Sequence, residues 1–79
     1  MKICVLRRDG KDVHNGMVMV IPDIVVKFFG MKDVSIYKDK EEFTQMLVFE
    51  AGKEEESKIV PFIQEVSRIN PLYAVRLHS

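Results

Sequence analysis

The chain has 79 residues, 47% of them hydrophobic, with twelve basic and twelve acidic side chains and a single cysteine. That length holds one domain, buries only about 60% of its unfolded surface, and is too apolar a composition to stay disordered. A lone Cys4 excludes an intrachain disulfide and a multi-cysteine zinc site, and a formal charge of zero excludes a strongly basic nucleic-acid binder by bulk charge.

A fold this small needs support beyond its own core, which makes a partner subunit the expected source and a reducing cytoplasm the expected compartment. The apolar ICVL near the start is cut off by Arg7 and Arg8, too early for a signal-peptide core. The most apolar window, 17–31, contains Asp23 and Lys27 and is too short to span a bilayer, so no membrane partner is expected.

In chain order, KICVLRR (2–8) reads as a first strand, apolar and β-branched before a basic end. Asp9-Gly10 and Asn15-Gly16 read as tight turns, because glycine tolerates the positive φ they need, and KDVH between them is a very short strand or loop. MVMVI (17–21) reads as a second strand, antiparallel to the first. Pro22 has no N–H to continue a ladder and fits the first turn of a short helix over 23–29. On that helix Ile24 and Phe28 share a face, as do Val25 and Phe29, and Gly30 suits a left-handed cap. VSIY (34–37) reads as a third strand.

The segment 39–51 has two readings. Leu, Val and Phe favour a strand at 45–50, whereas Asp39 and Glu42 match a capping box for a helix with Phe43, Met46 and Leu47 on one face and Gly52 ending it. KEEESK (53–58) reads as a solvated connection whose glutamates favour a helix start. Ile59, Phe62, Ile63, Val66 and Ile69 then follow the spacing of an amphipathic helix, with Pro61 in its first turn. Asn70-Pro71 stops it, and LYAVRL (72–77) reads as the last strand. The expected fold is α+β: a small, mostly antiparallel sheet with one or two amphipathic helices on one face.

Catalytic patterns are absent: there is no glycine-rich phosphate loop, no zinc-protease helix and no nucleophile elbow. Cys4 and His14 would make a nucleophile–base pair only if their segments met, and nothing nearby supplies an orienting carboxylate. Cys4 reads better as a small core residue and His14 as a turn residue. Cys4, His14 and His78 lack metal-ligand spacing, so no metal and no cofactor are expected. Tyr37 and Tyr73, each on a strand, either stack on bases or sit at the rim of a core with the hydroxyl in water. Arg7, Arg8 and Lys11 flank a tight turn and, doubled in a dimer, would neutralise several phosphates; Asp9 and Asp12 between them would cancel much of that field.

VMVIP (18–22), DIVVKF (23–28) and FGM (29–31), followed by VSIY, resemble the swapped-hairpin AbrB/SpoVT/MazE family in order and spacing. The resemblance covers residues 1–50, leaving the helix and strand of 53–79 outside it. It implies an intertwined homodimer acting as a transcription regulator or as the DNA-binding half of an antitoxin. Arg7, Arg8 and Lys11 would then contact DNA, together with Lys27, the one basic residue of the short helix. The expected function is accordingly a non-enzymatic, cytoplasmic, homodimeric DNA-binding regulator. The alternative is a small protein-binding adaptor or inhibitor that ignores nucleic acid.

Overall fold

The structure, a computed structural model, describes residues 1–30, 34–38 and 45–78. Four strands, β1 (Lys2–Arg7), β2 (Ser35–Lys38), β3 (Gln45–Glu50) and β4 (Tyr73–His78), form one antiparallel sheet in the order β2-β3-β1-β4. Helix α1 (Asn15–Phe29) connects β1 to β2, and a 3-10 helix (Lys53–Lys58) running into α2 (Ile59–Ile69) connects β3 to β4. Each helix therefore bridges two strands that leave a third between them. This is the doubly split β-α-β-β-α-β arrangement of ferredoxin-like topology.

The first strand places Ile3 and Val5 on the helix-covered face, fully buried. Lys2, Cys4 and Leu6 point to the other face by the two-residue period of a strand. The register is closed at both ends. The Met1 amino terminus donates to the Ala51 carbonyl at 2.9 Å, and the Arg8 N–H donates to the Leu72 carbonyl at 2.8 Å.

Residues 17–21 are helical, which corrects the expected strand and moves the helix start back from 23 to 15. The physical reason is burial. Met17, Ile21, Ile24, Val25 and Phe29 are all buried, and their spacing of four, three, one and four makes one helical face. β-Propensity in MVMVI is a weak prior beside that packing. The helix leaves Met19 77% exposed, where an alternating strand would have hidden every second residue. Asn15-Gly16, expected as a turn, forms the first residues of the helix after its N-cap, His14. Pro22 lies inside α1, where it withholds the N–H that the Val18 carbonyl would accept. The strand that the family resemblance requires before Ile21-Pro22 is thus helix here.

Gly30 ends α1 at φ 70°, the left-handed cap expected of it, with its N–H donating to the Val26 carbonyl. Of the two readings of 39–51, the strand at 45–50 is the observed one; residues 39–44, including the Asp39–Glu42 capping box, lie outside the described set. The KEEESK connection is a 3-10 helix, and Pro61 sits in the first turn of α2 as expected.

Both helices pack on one face of the sheet through a single core. At its centre, Phe62 of α2 lies 5.4 Å from both Phe29 of α1 and Phe49 of β3, and Phe29 and Phe49 are 5.3 Å apart, ring centre to ring centre. Phe28 adds an edge contact to Phe62 at 6.2 Å. Tilted and edge-on rings at these separations contribute beyond their burial alone. Truncation of Phe62 to alanine removes the ring that meets Phe28 as well as the other two. We expect Phe62→Ala to destabilise the fold by about 3–5 kcal/mol in urea denaturation, close to the whole margin of so small a domain.

Candidate interaction surface

The basic turn is the first place to look, because three of the four residues expected to bind DNA lie there. Arg7 is half-buried, and its guanidinium donates to the Asp9 carboxylate at 2.6 Å and to the Asp12 carbonyl at 3.4 Å. The Asp9 carboxylate also accepts the Lys11 N–H at 3.1 Å. Asp12 is engaged too, its carboxylate accepting the Gln45 N–H at the start of β3. These contacts tie the 8–14 loop to the sheet. Desolvation pushes the Asp9 carboxyl upward, but the Lys11 N–H and the Arg7 guanidinium outweigh it and hold the group below its usual range.

Arg8 and Lys11 remain exposed, with Arg8 donating through Nε to the Tyr73 carbonyl at 3.2 Å. Lys27 does not join them. Its ammonium lies 5.6 Å from the centre of the Phe28 ring, near the far end of α1, about 20 Å along the helix from His14 and the turn. The structure therefore gathers Arg7, Arg8 and Lys11, neutralises Arg7 internally, and separates Lys27 from the set.

Tyr73 corrects another expectation. Its side chain is fully buried, and its hydroxyl accepts the His14 N–H at 2.7 Å, fixing the start of α1 to the start of β4. A ring enclosed on all sides cannot stack on a base. His14 and Cys4 do not meet: Cys4 faces away from the helices, whereas His14 begins the helical layer. Burial raises the Cys4 thiol above its ordinary value, against the smaller opposing pull of Lys2 and Arg76, so it is a poor nucleophile. His78 lies at the opposite end of β4 from the His14–Tyr73 contact. Among the described residues no group of three or more His, Cys, Asp or Glu side chains is placed to hold a metal ion.

What sequence reasoning missed is the far face of the sheet. Residues paired across the strands share a face, which puts Cys4, Val48, Arg76 and Ser35 in one row. The neighbouring rows hold Leu6, Met46 and Ala74, then Lys2, Glu50 and His78. Cys4 is buried; Leu6, Met46, Val48 and Ala74 are half-buried and lie outside the core that the helices cover. Around this apolar centre stand Arg8, Arg76 and His78, all exposed, with Glu50 drawn 3.4 Å from the Met1 amino terminus. The signal was the alternation itself, but it becomes readable only once the pairing order is known.

Comparison with known proteins adds nothing further to this geometry: no family model, curated protein or solved structure matches the chain. No helix among the described residues is long and apolar enough to cross a membrane.

Two outcomes test these contacts. Tyr73→Phe leaves the His14 N–H without its partner and should cost about 1–3 kcal/mol by chemical denaturation. Asp9 has a lowered folded-state pKa, so its contribution is present above the unfolded carboxylate pKa and disappears as pH falls through the lower folded value. Asp9→Asn should therefore reduce stability at neutral pH and make little difference at about pH 2, in urea titrations of both proteins at both pH values.

Proposed function

We propose that the chain is a non-enzymatic protein-binding domain, an adaptor or inhibitor that works by the uncovered side of its sheet. One observation carries this reading. The face without helices has an apolar centre at Cys4, Leu6, Met46, Val48 and Ala74, while much of the turn expected to meet DNA is spent on internal contacts. An apolar centre with a polar rim is the anatomy of a protein interface. The central strands, β1 and β3, place no aromatic residue on that face, so those two strands offer no ring for a base to stack on.

The homodimeric DNA-binding regulator is the second reading, supported by the outward Arg8 and Lys11 at the turn. One experiment separates the two. The tagged chain and its Val48→Asp variant, matched for folding by circular dichroism, are used to capture binding partners, and both are titrated against duplex DNA at low salt. The expected result is a defined protein retained by the wild type and reduced about tenfold by Val48→Asp, with no duplex shift. Salt-sensitive duplex binding that is lost in Arg8→Ala/Lys11→Ala would overturn the proposal in favour of the regulator.

A further inference from the structure

Sheet edges expose whatever backbone groups their neighbours leave unpaired, and β4 is an edge strand. Its hydrogen-bonding phase follows from two observed bonds. Arg8 and Leu72 are opposite each other and bonded, N–H to carbonyl, so the bonded pairs between β1 and β4 are Leu6–Ala74, Cys4–Arg76 and Lys2–His78. Met1 and Ala51 are a bonded pair on the other side of β1, which gives Ile3–Phe49 and Val5–Leu47 to β3 and agrees with that phase. Tyr73, Val75 and Leu77 therefore turn their N–H and carbonyl groups outward. Those of Tyr73 are already used, the N–H on the Asn70 carbonyl and the carbonyl by Arg8 Nε. Val75 and Leu77 present an open donor–acceptor track.

The flanks of this track differ in chemistry. On the helix side, Leu77 is 47% exposed and lines an open cleft of about 300 Å³ with Met1, Lys53, Glu56 and His78. On the other side stands Arg76, exposed, while His78 at the end of the strand borders the cleft. Arg8 reaches across the start of the strand to its edge, through the bond to the Tyr73 carbonyl. Glu56 in the cleft and Glu50 in the row of His78 are the acids here, set against Arg8, Lys53, Arg76 and the titratable His78.

We infer that β4 binds an extended acidic segment of a partner protein as a fifth strand. Its main chain pairs with Val75 and Leu77, an apolar side chain enters the cleft beside Leu77, and carboxylates on alternate residues face Arg76 and Arg8. The two-residue period of a strand sorts such a segment's side chains onto the apolar and the cationic flank. This inference rests on the protein-binding reading and names its partner's chemistry. A second copy is disfavoured in two registers: pairing β4 with itself about Arg76 sets Arg76 opposite Arg76, and pairing about Val75 needs the Tyr73 groups already in use. Nucleic acid has no amide ladder to offer Val75 and Leu77.

The test uses a labelled synthetic peptide of about ten residues alternating glutamate with valine, and its lysine-for-glutamate counterpart. Affinity is read by fluorescence anisotropy and backbone engagement by amide hydrogen exchange. The glutamate peptide should bind and slow exchange at Val75 and Leu77 about tenfold or more, while the lysine peptide binds at least about tenfold more weakly. Arg76→Glu, at an exposed position, should reverse the preference between the two peptides. Failure of the glutamate peptide to bind overturns the inference, as does binding that leaves the Val75 and Leu77 amides unprotected. Concentration-dependent protection of the same amides in the free chain overturns it in favour of self-pairing. Any of these results with Val48-dependent capture of a protein intact would leave the protein-binding reading standing; loss of that capture as well would remove both.

Discussion

Phe62 holds the molecule together. Its ring touches Phe29 and Phe49 at the same separation, so one side chain joins α2, α1 and the sheet. None of these elements is stable in isolation. An eleven-residue α2 is shorter than a helix that persists alone in water, and a sheet needs three or more strands with a hydrophobic face or a helix packed on it. Burial of each therefore depends on the others being in place, and the phenylalanine contacts are where that mutual dependence is concentrated. The remaining core residues, among them Ile3, Val5, Ile21, Val25 and Val66, fill the space around the three rings.

A small number of polar contacts then determine what the surface is free to do. Tyr73 reaches His14, Asp12 reaches Gln45, and Arg7 folds back on Asp9. Each spans from the 8–14 loop or its base to another element or across the turn, and together they anchor a segment that has little apolar content of its own. One of the three charges that suggest a phosphate-binding turn in the sequence, Arg7, is therefore engaged in holding that turn. Charge count and charge availability are different properties, and here they diverge at Arg7 and Asp12.

Among the described residues, the two-layer architecture leaves the opposite face of the sheet without a covering element. Helices on one side bury Ile3, Val5, Leu47 and Phe49, but the same strands must point Cys4, Leu6, Met46 and Val48 the other way. Those residues are apolar where a solvated sheet face would ordinarily be polar. The edge strand β4 borders this face and keeps open backbone groups, so apolar surface, positive charge and unpaired ladder meet along one side of the molecule. That coincidence gives the protein-binding reading its physical basis.

Much of the fold was legible in the residues. The α+β class, β1, the left-handed cap at Gly30, β2, α2 and β4 follow from local signals that act over a few residues: alternation, three-four spacing, glycine and proline chemistry. Two things were not. MVMVI has the composition of a strand, and only its packing against the core, through Met17 and Ile21, makes it helix; the segment 45–50 needed β1 and β2 on either side to be a strand. The candidate surface was equally hidden, since Cys4, Val48 and Arg76 are distant in sequence and become neighbours only through the pairing register. Sequence by itself determined which segments can bury a face and where the chain must turn, because those depend on side-chain spacing and backbone freedom. Tertiary structure alone decided which faces met, which charges were spent, and which side was left open, because those depend on contacts between residues far apart in the chain.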